Sequence, residues 1–212
     1  MLIIYIIIAA VVGGKLFMIF EDPKLSLSEP SRLIKSFNTG FVFYGSLLFA
    51  IPTMLIFFRV HKLPALAMFD IMAVTSCILH AFGRMGCFMA GCCYGTPHDG
   101  LFSVTFSDPA CAANPLNTPL HPTQLYSSTM ILAILVIILF VNRRKQFDGQ
   151  LFMLYLMLYA IGRSVLEIFR GDLKRGFLID NVLSNSQFIS ILVFLVALYF
   201  YMKLAKKAKK AP

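Results

Sequence analysis

A chain of 212 residues that is 58% hydrophobic and only 14% charged, with a mean hydropathy of +0.79, lacks the polar residues to cover a water-soluble surface. That excludes an ordinary soluble enzyme and points to a membrane protein. The net charge of +9 is no nucleic-acid signature, since five of the 19 basic residues fall in the terminal run Lys203 to Lys210, where anionic lipid headgroups are the simpler partner.

A bilayer core about 30 Å thick needs roughly 20 apolar residues per helix. Six runs qualify: Leu2 to Phe20, Phe41 to Phe58, Leu63 to Phe82, Gln124 to Val141, Gln150 to Ile168 and Gln187 to Lys203. They are continuous rather than alternating, which favours helices over a barrel. The opening run has neither a basic n-region nor a small-residue cleavage site, so a retained helix is expected rather than a signal peptide. The expected organisation is an all-α integral membrane domain over residues 1–203, with a basic tail over 204–212. Arg59 with Lys62, Arg143 to Lys145, and the tail fall on one side of the bilayer, and the retention of basic loops makes that side cytoplasmic, together with both termini. The opposite side receives the mixed-charge segments, including the long stretch from Arg84 to His121.

Ionisable residues at membrane depth need a partner or a water-filled cavity, and two stretches contain them. The first runs from Ile78 to Gly95 and carries His80, Arg84, Cys87, Cys92 and Cys93 among the glycines Gly83, Gly86, Gly91 and Gly95. Such a run suggests a bent or unwound backbone at a cavity rim. In the second, Arg163, Glu167 and Arg170 fall at i, i+4 and i+7, on one helical face. Cys77, His80 and Arg84 fall at i, i+3 and i+7, so two polar stripes can face each other. Two guanidiniums in a low-dielectric cavity repel unless an anion joins them, and their fork suits phosphate. Spacing alone leaves two readings open: a phosphate site for a lipid headgroup, or an ion-pair network tying helices together.

Between these stretches lies His121-Pro122-Thr123-Gln124-Leu125-Tyr126, with Pro122 suited to a helix start. His121, Gln124 and Tyr126 can hydrogen-bond a headgroup, although a histidine there also serves as a plain surface or capping residue, and Tyr126 as an interfacial anchor. The five cysteines admit several readings. They can be small packing residues, or form a disulfide from Cys92 or Cys93 to Cys111 in an oxidising compartment. Cys92 or Cys93 can be a nucleophile whose pKa is lowered by Arg84. A metal site from Cys87, Cys92, Cys93 and a histidine is disfavoured, because Cys-x4-Cys-Cys is not a strong zinc spacing.

Taken together, Gly83-Arg84-Met85-Gly86, His121-Pro122-Thr123-Gln124-Leu125-Tyr126 and Arg163-x-x-x-Glu167-x-x-Arg170 resemble the prolipoprotein diacylglyceryl transferase family. In that family the corresponding elements are Gly-Arg-x-Gly, His-Pro-Ser-Gln-Leu-Tyr and a late Arg/Glu helix. Gly13-Gly14-Lys15-Leu16 is a looser match, and Phe43-Tyr44-Gly45-Ser46-Leu47 is similar to the family's Phe-His-Gly-Gly-Leu. Family members usually have seven helices, so this chain is expected to begin at what would be their second.

The resemblance implies a bacterial inner-membrane enzyme that moves the diacylglyceryl group of phosphatidylglycerol to a prolipoprotein cysteine at the outer leaflet, releasing glycerol phosphate. No cofactor or metal is implied. Arg84 and Arg163 would stabilise the leaving phosphate, Glu167 and Arg170 would orient them, and His121 and Cys92 are further catalytic candidates. Tyr44, His80, Cys87, Cys93, Gly95, Gln124, Tyr126 and Arg170 would line the substrate site. Departures from the pattern are concentrated in the glycine run, where Cys87, Ala90 and Cys92 replace two asparagines and a glutamate, and at Tyr44, which replaces a histidine. They keep open a different acceptor, a cysteine nucleophile, or a non-enzymatic lipid-binding or transport protein.

Overall fold

The structure, a computed structural model, describes residues 1–21, 43–170, 177–179 and 183–210. Among them are six helices: α1 (Leu2–Glu21), α2 (Phe43–Val60), α3 (Ala65–Met89), α4 (Thr123–Asn142), α5 (Gln150–Ile168) and α6 (Asn185–Lys210). Two small antiparallel ribbons join them, β1 (Val104–Thr105) with β2 (Pro119–Leu120) and β3 (Phe177–Ile179) with β4 (Leu183–Ser184). Residues 1–65 and 66–212 form two compact units. The first pairs α1 with α2, and Gly13 lies directly against Gly45 and Phe49, so the two backbones approach closely.

The second unit contains α3 to α6. Four helical stretches in the described residues are long and apolar enough to cross a bilayer: Ala65–Met89, Thr123–Asn142, Gln150–Ile168 and Ser186–Lys210. The apolar stretches Leu2–Leu16 and Leu48–Val60 within α1 and α2 are shorter. Leu79, Phe82, Val136 and Phe140 point outward, which is a liability in water and ordinary in lipid. The core holds Cys77 and Ala81 of α3, Ile131, Ile134 and Ile138 of α4, and Leu151 of α5.

The third helix differs from its expected course. Instead of ending at Phe82 it continues to Met89, so Gly83 and Gly86 sit within regular helix rather than in an unwound segment. Unpaired peptide groups are costly at this depth, and isolated glycines lower helix propensity by only about 1 kcal/mol each. The true terminus is at Gly91, whose positive φ of 69° ends the helix in a Schellman turn. Gly91 N–H donates to Phe88 O at 3.1 Å and Cys92 N–H donates to Cys87 O at 3.1 Å. The last helix also runs further than expected, through Lys210.

At the other end of α3, Asp70 is almost fully buried and serves as the N-terminal cap of a different helix. Its carboxylate accepts from Gly149 N–H at 2.8 Å and from Phe152 N–H at 2.9 Å, at the start of α5. An anion at a helix N-terminus satisfies orphan donors and meets the positive end of the dipole. Lys145 bridges Asp70 at 2.9 Å and Asp148 at 2.8 Å, and these contacts raise its pKa, Asp148 contributing most. A raised lysine pKa gives stability that is present through neutral pH and lost as pH climbs through the folded-state value. Gln150 Nε2 donates to Tyr201 Oη at 3.2 Å and Phe147 packs edge-on against Tyr201, which brings the basic 143–145 turn and the end of α6 to the same end of the unit.

Asp70→Ala should destabilise the purified protein in detergent by about 3–5 kcal/mol, because it strips a buried pair and two cap bonds together. Lys145→Ala should cost about 1 kcal/mol, since that side chain keeps part of its solvation. Thermal unfolding followed by circular dichroism measures both.

Candidate functional site

Some 14 residues beyond Asp70, or about 21 Å along α3, the unit presents its other polar cluster. One narrow cleft is lined by Arg84 from α3, Cys93 from the turn that follows, Thr123 and Ser127 from α4, Leu166 and Arg163 from α5, and Arg170 just past the end of α5. The two arginines singled out in the sequence thus share a single cavity. Arg163 donates to Ser186 Oγ at 2.8 Å and pairs with Glu167 at 2.5 Å, which fixes its guanidinium from two sides. Arg84 Nε donates to His80 Nε2 at 3.3 Å, and among the described residues it has no carboxylate within ion-pair distance. Among the described residues the Arg84 guanidinium is thus not balanced by a carboxylate, a condition that favours an anion.

The roof of the cleft is assembled from non-local backbone contacts. Thr123 Oγ1 donates to Cys93 O at 2.7 Å and Gln124 Nε2 donates to Cys92 O at 2.6 Å, so the start of α4 grips the turn after α3. Gly95 N–H donates to His121 O at 2.8 Å, while Thr96 N–H donates to Phe169 O at 3.0 Å. Gly95 is confined by these neighbours: a Cβ there would collide with Phe169 O and come within 2.7 Å of His121 Cβ. Glycine at 95 is thus a packing requirement that lets its own segment close on those of His121 and Phe169.

His121 stacks on His98 with ring centroids 3.9 Å apart, and its Nδ1 lies 3.2 Å from Tyr126 Oη. Burial, followed by the neighbouring His98, pushes the His121 pKa below its ordinary value, so the ring is neutral near pH 7 and able to accept a proton. Phe169 sits edge-on to both His121 and Tyr126. Beside this aromatic cluster is an apolar groove of about 590 Å³, lined by Phe88, Phe102, Val104, Pro122, Leu125 and Tyr126.

Other expected residues fall elsewhere. Cys77 is buried in the helical core, away from the cleft. His80 touches Arg84 and the Tyr159 ring but does not line the cavity. The Tyr44 side chain lies outside the described residues. The thiol of Cys92 is not activated as its proximity to Arg84 suggested: burial and the Cys93 and Cys87 thiols push its pKa up to about 12. Thr123 and Ser127 were not expected to line the cleft. Their i, i+4 spacing was a readable signal, since it puts both hydroxyls on one helical face.

Residues 1–203 match the prolipoprotein diacylglyceryl transferase family model. The chain belongs to that family. A phosphatidylglycerol–prolipoprotein diacylglyceryl transferase of Clostridium tetani is 34% identical over 195 residues, covering 92% of this chain and 76% of the relative. The second such enzyme of Clostridium perfringens is 31% identical, covering 92% and 74%, and that of Rickettsia bellii is 32% identical, covering 94% and 75%. With its apolar helices, membership of this family makes the chain a multi-pass membrane protein and a transferase.

Gly95→Ala should lower stability by about 1–3 kcal/mol through overpacking, with the loss visible as earlier thermal unfolding. The His121 ring should titrate below about 6.5, the ordinary histidine value, in a proton-detected NMR titration. Because the folded state takes up that proton less readily than the unfolded chain, His121 should weaken folding as pH falls through its folded pKa.

Proposed function

We propose that this membrane transferase moves the diacylglyceryl group of phosphatidylglycerol to the cysteine thiol of a prolipoprotein, releasing glycerol phosphate. The observation that carries this reading is the convergence of Arg84 and Arg163 on one cleft. In the reaction the thiol loses its proton, and the sulfur attacks the glyceryl carbon that bears the phosphate oxygen. A C–S bond forms as the C–O bond breaks, and the electron pair leaves on the phosphate. Charge grows on that phosphate in the transition state, where preorganised guanidiniums count most. Arg163 is held ready by Glu167 and Ser186, so little reorganisation is needed at the moment of reaction. The neutral His121 imidazole is the acid/base candidate. The groove beside Tyr126 offers an apolar bed for an acyl chain.

The cleft belongs to the end of the unit opposite the basic 143–145 turn and the lysines at the end of α6. Retention of basic segments in the cytoplasm then directs it to the outer leaflet of a bacterial cell membrane, with both termini inside. A different acceptor is the second reading, favoured by the thiol of Cys92 standing where the family pattern has a glutamate.

Purified protein given labelled phosphatidylglycerol and a lipobox peptide should yield labelled peptide and one glycerol phosphate per transfer. Arg84→Ala and Arg163→Ala should each lower kcat about 10²–10³-fold; Arg84→Ala should leave the melting profile near that of the parent, whereas Arg163→Ala also strands the mostly buried Glu167 and should unfold earlier. Arg163→Lys should recover only part of the loss, because an ammonium cannot form the bidentate fork. Headgroup release with some other acceptor and none with the peptide would establish the second reading.

A further inference from the structure

The turn that closes α3 brings three thiols together. The Sγ atoms of Cys87, Cys92 and Cys93 all lie within 4.8 Å of one another, and none is in a disulfide. The cause is local. In the Schellman turn, Cys92 N–H bonds to Cys87 O, and this geometry stacks the second residue past the helix end over the third residue before it. Such turns frequently place an apolar contact there, whereas this one places two sulfurs. Cys93 then adopts a left-handed φ of 63°, an uncommon conformation for a non-glycine residue, and adds the third. Hydrogen bonds from Thr123 and Gln124 to the carbonyls of Cys93 and Cys92 hold the turn in place.

We propose that Cys87, Cys92 and Cys93 form a three-thiolate site for one zinc ion, whose fourth coordination position receives the thiol of the acceptor. The second half of this proposal rests on the transferase reading above. The first half does not.

Zinc–sulfur bonds of about 2.3 Å in a tetrahedral arrangement set the sulfurs about 3.8 Å apart, so the observed cluster needs only small side-chain rotations to close on an ion. Three protein ligands and one open position form the catalytic pattern for zinc, whereas structural sites use four. Charge also favours zinc. Three thiolates and a divalent ion sum to minus one, and Cys93 shares its cleft with Arg84, which has no carboxylate partner among the described residues. A monovalent soft ion would leave minus two. The thiol protons are released to solvent as the metal binds.

When zinc is bound, it deprotonates a thiol in its fourth position. The acceptor's proton thus passes to water before sulfur attacks carbon, the C–O bond breaks with its electron pair on the phosphate, and the products are the thioether and glycerol phosphate as before. This gives the chain a route to thiolate despite the substitutions at Cys87, Ala90 and Cys92 in the family's polar motif.

The full chain, purified in detergent under reducing conditions and stripped of metal, tests both halves. Zinc competition against a chromophoric chelator should give one ion per chain. Zinc should protect Cys87, Cys92 and Cys93 from alkylation in the unaltered protein, as read by mass spectrometry. Cys92→Ser and Cys93→Ser should each weaken zinc binding at least about 100-fold, beyond what the loss of a hydrogen bond to a ligand usually costs, while Cys111→Ser leaves it unchanged. With Co²⁺ in place of zinc, the sulfur-to-metal absorption should shift when a lipobox cysteine peptide is added, but not with its serine counterpart. No stoichiometric zinc, protection that excludes these three cysteines, or tight Cu⁺ binding without zinc binding would overturn the site. Transfer that persists after chelation and in Cys92→Ser would overturn the zinc role and leave the transferase reading standing. Zinc binding and a cobalt shift without transfer would do the reverse.

Discussion

Three guanidiniums, those of Arg84, Arg163 and Arg170, line one cleft inside an apolar bundle, and they form the constraint around which the second unit is organised. Arg163 is neutralised by Glu167 on its own helix, while Arg84 is met, among the described residues, by the imidazole of His80. Placing that much positive charge at membrane depth is costly unless an anion or water shares it. Much of the surrounding architecture keeps the two arginines in place. The glycine at 95 allows three segments to pack closely at the start of α4, and Thr123 and Ser127 line the cleft with the arginines.

How much of this was readable from the sequence depended on whether the controlling contact was local. The fifth helix was expected over Gln150 to Ile168 and is found there, because an unbroken apolar run follows the positive-φ Gly149. The convergence of Arg84 and Arg163 was readable as two polar stripes needing partners. The end of α3 was misjudged, because glycine content suggested unwinding where lipid enforces continued hydrogen bonding. Asp70 was missed entirely. Nothing near it in sequence betrays a carboxylate whose hydrogen-bond donors lie 79 and 82 residues away.

The cysteines show the same limit at smaller scale. Cys-x4-Cys-Cys fits no common zinc spacing, so spacing arguments set it aside. The missing element was the Schellman turn, which folds a five-residue separation back on itself and lays Cys92 over Cys87. The thiol thought to be activated by Arg84 is instead surrounded by other thiols, and its proton is held more tightly than that of an isolated cysteine. Sequence showed which chemical groups were present, and the backbone turn decided which of them met.

The Asp70 cap has a mechanical meaning for Arg163. It pins α5 at Gly149 and Phe152, about 21 Å along the helix from Arg163 at 1.5 Å per residue, while the bond from Arg163 to Ser186 ties the other end to α6. The helix is thus moored at both ends. The Arg163 guanidinium keeps its station whether or not a phosphate is there to meet it, and a carboxylate remote from the cleft shares in holding it.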